Sequence, residues 1–217
     1  MGFPSTRHSA IRGLDDTDES IRKRSHEAVV QTYWSPIHKY LRLHWRETSE
    51  DAADLTQAFF ARSIEAGTLS SYDASKGTFR TYLRTCLDRF VLNARKQKAR
   101  TQAVTLDFDV ADEGQSPEEL FHREWVRSLF TFALEDLRGR HQDTRFQLFE
   151  KYDLNESEKR PTYGELAEEF GISVVSVTNF LAAMRRDFRR AVRDRLRDLT
   201  ISEREFESEL RAIFTKT

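Results

Sequence analysis

The chain has 217 residues, of which 38% are hydrophobic and 33% are charged, and its formal net charge is −1. This length allows one domain or two small ones, each with a small core beneath a highly charged surface. The single cysteine, Cys86, excludes an intramolecular disulfide, and no apolar run approaches the roughly 18 residues of a membrane helix. These features predict a cytoplasmic protein without membrane insertion. With only 4 prolines and 8 glycines, the composition favours an all-α fold.

Charge is distributed in blocks along the chain. Residues 76–100 contain eight basic residues and one acid, residues 105–120 contain six acids and no base, and residues 185–197 contain seven arginines and two aspartates. This pattern predicts two cationic surfaces joined by an anionic linker. Basic residues also favour helix C-termini, so a single block is equally compatible with a solvated helix end.

The first predicted element follows a polar, loose tail over residues 1–17. From residue 18 to Trp45 apolar residues fall at helical spacing, and Pro36 is expected to kink or split this helix. Ser49 is predicted to cap a second helix that ends at Gly67.

A polar loop over residues 71–77 precedes a third, basic helix, which Thr78 is predicted to cap and which ends near Thr101. Residues 102–116 are acidic and have no period, so they are predicted to be a linker. Ser116 and Pro117 then begin a helix that carries apolar residues to Leu137, and a further helix is expected over residues 141–152.

The segment from Thr162 onward has the pattern of a helix-turn-helix. Thr162 and Glu165 form a capping box, Gly171 permits a left-handed turn, and Ser173 caps a second helix. A DNA-binding unit of this kind places the start of its second helix over base edges and its basic residues on phosphates. The residues predicted to do so are Ser173, Val174, Val175, Ser176, Thr178, Asn179, Arg185 and Arg186. An ordinary αα-corner in a helical bundle is the structural alternative.

Residues 199–217 predict an added amphipathic helix with Ile201, Phe206, Leu210 and Phe214 on one side. It is expected to cover the helix-turn-helix region or to receive a partner. Six scattered histidines, without a metal-ligand spacing, a phosphate-binding glycine loop or a nucleophile motif, predict that the protein is not an enzyme and uses no metal or cofactor.

Four stretches together carry a family resemblance: YWSPIHKYL, EDAADLTQAFF, YDASKGTFRTYLRTCLDRFVLNARKQKAR and the helix-turn-helix segment. The chain resembles bacterial RNA polymerase sigma factors of the extracytoplasmic-function type. The resemblance implies two small helical domains joined by the acidic linker. It assigns residues 18–101 to sigma domain two, residues 102–116 to the linker and residues 117–198 to sigma domain four, with a tail over 1–17 and an extension over 199–217.

The resemblance also implies partners and binding residues. The partners are promoter DNA and core RNA polymerase, through the clamp helices of β′ and through the β subunit. Asp51, Asp54, Leu55 and Gln57 correspond to the clamp-binding residues, although acids there also suit a helix N-terminus. The residues implied for the melted minus-ten element are Ser75, Lys76, Phe79, Arg80, Tyr82, Arg84, Asn93, Arg95 and Lys96. Those predicted from the helix-turn-helix would read the minus-thirty-five element.

The chain departs from the family at the clamp-binding helix. Many members carry acids where Ala53 and Ala58 stand, so two charges are missing. Phosphorylation of Thr56 by a Ser/Thr kinase would add a charge of about −1.5 to −2 to this helix. We therefore hypothesise a switch at Thr56, and an anti-sigma factor is the alternative regulatory partner.

Two other functions are compatible with parts of the sequence. One is a stand-alone helix-turn-helix regulator that binds duplex DNA without polymerase, for which the segment around residues 51–57 would have no use. The other is an adaptor that occupies the polymerase clamp without directing initiation. Transcription from a promoter separates a sigma factor from both.

Overall fold

The computed structural model describes residues 9–102, 116–141, 143–155 and 159–214. Eight α-helices and no strand occur in these ranges, which confirms the all-α prediction. The helices are α1 (Glu19–Leu43), α2 (Ser49–Glu65), α3 (Phe79–Gln102), α4 (Pro117–Arg140), α5 (Thr144–Asp153), α6 (Tyr163–Phe170), α7 (Val174–Asp198) and α8 (Glu203–Phe214). Short 3-10 helices lie at Arg12–Asp15 and Leu69–Ser71. Residues 103–115 of the predicted linker lie outside the described residues.

The chain divides into two compact units. Unit one comprises Met1–Ser128 and Leu196–Thr217, and unit two comprises Leu129–Arg195. The division differs from the predicted domains, because residues 117–128 and everything from 196 onward belong to unit one. The C-terminal extension is therefore part of the N-terminal unit.

The core of unit one is built from α1, α2, α3, the start of α4 and α8. Its fully buried large side chains are Leu14, Tyr33, Ile37, Tyr40, Leu41, Phe59, Leu69, Phe79, Leu83, Phe121, Trp125 and Phe206. On α3, buried apolar residues recur at positions 79, 83, 87 and 91, the four-residue step of a helix face. This stripe packs α3 against the rest of unit one and thereby fixes which side of the helix points away from the core.

Pro36 lies inside α1, which is one helix from Glu19 to Leu43 rather than two. Proline has no N–H to donate to the carbonyl four residues earlier, which is that of Thr32. The Ser128 hydroxyl donates to this carbonyl instead, at 3.1 Å in a buried position. The carbonyl that loses its usual helical donor at the proline thus accepts a hydrogen bond from α4.

The helix caps agree with the sequence at most positions. Thr78 Oγ1 accepts from the Thr81 N–H at 3.3 Å, and Ser116 Oγ accepts from the Glu119 N–H at 3.2 Å. The predicted cap of α2 is displaced by one residue: Thr48, not Ser49, accepts from the Asp51 N–H at 3.1 Å. Ser49 is the first helical residue, where its hydroxyl has no capping geometry.

Residues 9–15 are ordered against unit one, unlike the loose tail predicted for residues 1–17. The Ala10 N–H donates to the Asp198 carbonyl at 2.7 Å, and Ile11 and Leu14 are buried. Gly13 packs so closely on α1 that an added Cβ would lie 2.1 Å from Ser25 Oγ. This N-terminal segment therefore ties the turn before α8 to α1.

Unit two contains the predicted helix-turn-helix segment and its supporting helices. Its core consists of Ala133, Leu137, Phe146, Leu148, Phe149, Leu166, Ala167, Val177, Leu181, Met184, Ala191 and Val192. The Thr162–Glu165 capping box begins α6, and Gly171 ends it with φ of 62° and ψ of 36°. The chain then bends by 101° into α7, in the range of helix-turn-helix corners.

Within the described residues no single helix is long and apolar enough to cross a membrane, and only the bent pair α6 and α7 passes such a test when its two helices are joined.

Candidate nucleic-acid interface

The residues predicted to bind the polymerase clamp share the outer face of α2. Asp51, Asp54 and Gln57 are exposed at intervals of three residues, and Leu55 is half-buried beside them. The opposite face of the helix carries buried Ala52, Thr56 and Phe59. This arrangement leaves two carboxylates and an amide available to cationic and polar groups of a partner.

Asp51 has a local role as well as an exposed position. Its Oδ2 accepts from the Thr48 hydroxyl at 2.7 Å, while its own N–H donates to Thr48 Oγ1. Asp51 therefore stabilises the start of α2, and Asp54 is the carboxylate of this face without a capping role in the described contacts.

Thr56 lies on the buried side of α2, not on the exposed face with Asp51 and Asp54. Its side chain has no exposed surface, and its hydroxyl donates to the Ala52 carbonyl at 2.6 Å. Position 56 follows the same helical stripe as Ala52 and Phe59, so the candidate phosphorylation site is covered in this structure.

The arginines predicted to follow DNA phosphates on α3 are engaged by carboxylates. Arg80 contacts Glu118 at 3.0 Å and Glu209 at 3.3 Å, with 10% of its side chain exposed. Arg84 contacts Glu118 at 2.8 Å and Asp88 at 2.7 Å. The predicted open basic face is therefore neutralised along this side of the helix.

Arg95 belongs to a separate cluster at the other end of α3. It contacts Glu47 at 2.7 Å and lies over the Trp45 ring, with 4.9 Å between its Cζ and the ring centroid. The predicted minus-ten residues that stay exposed are Ser75, Lys76, Asn93 and Lys96.

Glu118 is held in its charged form by this cluster. Burial opposes ionisation, but a hydrogen bond from Thr81 and the charges of Arg80 and Arg84 keep the pKa of Glu118 below its usual range. The glutamate is therefore an anion at neutral pH, and it lies in the first turn of α4, where a negative charge suits the helix dipole.

Phe79 and Tyr82, the two predicted aromatic residues of α3, both pack into the protein. Phe79 is 1% exposed and its ring meets that of Tyr72 edge-on at 5.3 Å. Tyr82 is half-buried, and its hydroxyl donates to the Thr68 carbonyl at 2.6 Å. Their packing fixes the loop over residues 71–77 against the start of α3.

A cavity of about 270 Å³ opens between α2 and α3 next to Tyr82. Phe59, Tyr82 and Phe90 provide aromatic walls, and its polar groups come from Arg62, Arg89, Asn93, Ser63 and Thr68. Sequence reasoning included Asn93 and Tyr82 but missed Arg62, Arg89 and Phe90. The spacing of residues 82, 86, 89 and 93 along one helix face is the signal that could have found them.

The predicted base-reading residues lie at the exposed start of α7. Val174 and Val175 are 48% and 69% exposed, and Thr178 and Asn179 are also on the surface. Ser173 caps the helix by accepting from the Ser176 N–H at 3.1 Å. The start of α7 thus presents two exposed valines and two exposed polar side chains.

Arg185 and Arg186, the predicted phosphate-binding pair, differ in availability. Arg186 is exposed, whereas Arg185 donates two hydrogen bonds of 2.9 Å to Asp153. The hydrogen bond to Asp153 and its charge raise the pKa of Arg185. Arg185 thus joins α5 to α7 and is not a free phosphate ligand in this structure.

Among the described residues, no group of three or more histidine, cysteine, aspartate or glutamate side chains is arranged to hold a metal ion.

Comparison with known proteins bears on α2 and α3, which carry the predicted clamp-binding and minus-ten residues. Residues 29–101 match the family model for sigma-70 region 2. The match supports a factor of the sigma-70 family. It covers α2, α3 and most of α1, and hence all predicted clamp-binding and minus-ten residues. We refer to residues 29–101 as the region 2 segment. No curated protein and no solved structure matches the chain.

The match supports a role in RNA polymerase binding and promoter melting. Factors with a sigma-70 region 2 initiate transcription and are not enzymes. It accordingly implies core RNA polymerase and promoter DNA as partners. The predicted base-reading residues of α7 lie outside the matched residues.

Proposed function

We propose that this chain is a cytoplasmic sigma factor of the extracytoplasmic-function type, which binds core RNA polymerase through α2 and directs promoter-specific transcription initiation. The observation that carries the proposal is the exposed stripe of Asp51, Asp54 and Gln57 within the region 2 segment. Carboxylates spaced along a helix give charge-assisted hydrogen bonds to guanidinium groups, which suits docking on an arginine-bearing coiled coil of β′.

The cavity between α2 and α3 supports the promoter-melting part of the proposal. A base taken out of the DNA stack needs aromatic walls and polar groups at its edge. Phe59, Tyr82 and Phe90 supply walls, and Arg62, Arg89 and Asn93 supply donors and a basic rim. We infer that this cavity receives an unstacked base of the non-template minus-ten strand, with Lys96 contacting phosphate nearby.

The exposed start of α7 supports recognition of the minus-thirty-five element. A bend of 101° after Gly171 sets α7 at a helix-turn-helix angle to α6. We infer that Val175, Thr178 and Asn179 face base edges in the major groove and that Arg186 meets a phosphate.

Regulation at Thr56 enters the proposal with an added requirement. The hydroxyl is buried and bonded to Ala52, so a kinase reaches it only after α2 opens locally. A phosphate there would supply the charge that Ala53 and Ala58 lack, provided that the side chain turns outward. An anti-sigma factor that covers the Asp54 face is the alternative means of control.

The test of Thr56 compares affinities for bacterial core RNA polymerase of the unmodified protein and of protein carrying phosphothreonine at position 56. Binding only after phosphorylation supports the switch, and tight binding of the unmodified form makes Thr56 an ordinary core residue. Thr56→Val, which cannot be phosphorylated, should leave a true switch permanently off in cells. Thr32→Val is the matched control, since Thr32 is equally buried and bonds to Ala28 at 2.8 Å.

The test of the main proposal is the affinity of Asp54→Asn for core RNA polymerase. We expect it to bind about tenfold more weakly than the wild type, because one charge-assisted contact is lost. Glu65→Gln is the matched control: it removes one exposed acid from the other end of α2 and should bind as the wild type does. Equal binding of both variants would count against docking through this face.

A stand-alone regulator makes a different prediction in the same assay. It would bind duplex promoter DNA specifically without polymerase, and Asp54→Asn would leave that binding intact. An adaptor would bind core polymerase but would give no promoter-dependent transcript in a reconstituted reaction.

A further inference from the structure

Helix α8 lies on the region 2 segment with two carboxylates facing inward. Glu205 and Glu209 are 7% and 3% exposed, one helical turn apart, alongside buried Phe206 and Ile213. The face predicted from the sequence was a wholly apolar one that included Leu210 and Phe214. Phe214 is instead 38% exposed, so the buried stripe is mixed: two apolar side chains and two acids.

Both carboxylates contact the beginning of α3. Glu205 Oε1 accepts from the Phe79 N–H at 2.9 Å and lies 2.8 Å from the Tyr72 hydroxyl. Glu209 meets the Arg80 guanidinium through contacts of 3.3 and 3.4 Å. The two acids of α8 thus engage the backbone, an aromatic hydroxyl and an arginine at one end of the region 2 segment.

A buried ion pair of this kind is not explained by stability alone. Removing two charges from water is costly, and apolar residues of the same volume often stabilise a core equally well. Arg80 is also held by Glu118 from α4 and lies over the Trp125 ring, with 5.3 Å between its Cζ and the ring centroid. The cation is therefore neutralised by acids that both lie outside residues 29–101.

The covered groups are the ones that a single DNA strand would use. The Arg80 guanidinium, the Tyr72 hydroxyl and the Phe79 N–H at the start of α3 are donors suited to phosphate oxygens. Carboxylate and phosphate oxygens make the same charge-assisted hydrogen bonds to these donors. The contacts of Glu205 and Glu209 therefore resemble those of a nucleic-acid backbone.

We propose that α8 and the single-stranded promoter DNA compete for one surface of the region 2 segment, so that α8 must leave before the melted strand can bind at the Tyr72 hydroxyl, the Phe79 N–H and Arg80. The inference rests on the proposed function, since it concerns DNA binding by this segment. It adds an occupant, α8, to that surface and makes the C-terminal extension an internal inhibitor.

Hydrogen exchange on the full-length protein tests the competition without any substitution. The probe is a random-sequence single-stranded oligodeoxynucleotide of about 16 nucleotides, at low salt. At saturation, the amides of residues 203–214 should exchange faster than in the free protein, because α8 is displaced. Exchange of residues 203–214 that stays unchanged or slows while the oligonucleotide is bound would overturn the inference.

A charge-neutral substitution provides the second test. Glu209→Gln keeps the shape of the side chain but removes its pairing with Arg80, and it should bind the oligonucleotide about tenfold more tightly because the uncovered state is more populated. Glu207→Gln is the matched control: it changes the net charge equally, on the same helix, two residues from the paired position. Equal affinity of the two variants would reduce the effect to net charge and reject the inference.

Binding to core RNA polymerase, measured in parallel, separates the two levels of the proposal. If the wild type and Glu209→Gln both bind core polymerase, but hydrogen exchange of residues 203–214 does not rise when the oligonucleotide binds, the inference fails and the proposed function stands. If neither form binds polymerase or the oligonucleotide, both are wrong.

Discussion

The Ser128 hydroxyl replaces the backbone N–H donor that Pro36 lacks. It donates to the Thr32 carbonyl, which Pro36 deprives of the usual helical partner. The site is buried, so loss of the hydroxyl removes a donor from a carbonyl in the core of unit one. A single side chain on α4 thereby bonds to the backbone of α1 one turn before the proline.

Ser128→Ala should destabilise unit one by about 1 kcal/mol, the usual net contribution of an intramolecular hydrogen bond. Tryptophan fluorescence during urea unfolding measures this selectively, because Trp34, Trp45 and Trp125 all lie in unit one. In a Pro36→Ala background the helix supplies its own N–H, so the same substitution should cost clearly less. An equal cost in both backgrounds would show that Ser128 acts through packing instead.

His44 introduces a dependence on pH. It is 8% exposed and its ring stacks on Tyr40 with 4.9 Å between centroids. Burial lowers the pKa of His44 below its ordinary value, and Arg84 and Arg95 reinforce the shift while Asp88 opposes it. The folded state thus disfavours the protonated ring relative to the unfolded state.

The free energy of unfolding of unit one should therefore keep its full value above about pH 6.5. It should decrease as the pH falls below that value, because the unfolded state then binds the proton more readily than the folded state does. Burial also lowers the pKa of His26, which adds to the same slope. Urea midpoints at intervals between about pH 5 and 8 measure it. His44→Phe keeps an aromatic ring and should flatten the slope; an unchanged slope would assign the effect to His26.

At the scale of elements, Gly171 shows how one backbone conformation sets a functional angle. Its φ of 62° lies in the left-handed region, where a Cβ is disfavoured, although nothing lies within 4 Å of the place a Cβ would take. The requirement is conformational rather than steric crowding. The turn, and with it the angle between α6 and α7, depends on this residue.

Gly171→Ala should lower the stability of unit two by about 1 kcal/mol or more, because alanine pays for the left-handed conformation. Gly171→Asn should cost less, since asparagine tolerates this region better. Thermal unfolding followed by circular dichroism tests the order of the three proteins. If the alanine variant matched glycine, the turn would have another acceptable geometry.

Much of this architecture could be predicted because local chemistry determines it. The capping box at Thr162, the turn glycine and the cap at Thr78 depend on near neighbours in sequence, and the structure has all three. The hydrogen bond from Ser128 to α1 could not be predicted, because Ser128 lies 92 residues beyond Pro36 in sequence. The burial of Thr56 could have been predicted, since it follows Ala52 and precedes Phe59 on one helical stripe.

The arginines of the candidate site were predicted from the sequence, but their pairing with carboxylates was not. The sequence places arginines along α3, yet nothing local reveals that Arg80 pairs with Glu209, 129 residues away. Long-range ion pairs depend on the tertiary path of the chain. For the same reason an amphipathic pattern located α8 but could not assign the surface that it covers or the two acids on its buried face.

At the scale of the whole molecule, unit one is discontinuous: its last helix is made after the whole of unit two. The N-terminal segment joins in, because Arg12 Nε donates to the Ile201 carbonyl at 3.0 Å. Both chain ends therefore contribute to the stability of the region 2 segment, although neither belongs to it.

A chain that ends at Leu199 should accordingly lose stability in unit one even though residues 29–101 are intact. Loss of buried Phe206 and Ile213, together with a partner of Arg80, should cost about 3 kcal/mol or more. Tryptophan fluorescence in urea reports the loss, and Phe214→Ala, at an exposed position of α8, should change little. A midpoint equal to that of the full chain would make α8 an energetically neutral addition.

The position of α8 after unit two in the chain also determines when its contacts can form. More than 100 residues separate the end of the region 2 segment from the end of α8. At ordinary rates of synthesis the ribosome needs roughly 6–23 s to make them. During that interval each nascent chain has Arg80 without Glu209. A messenger truncated before the codons for α8, or a protease that trims the C-terminus, would make this transient state permanent.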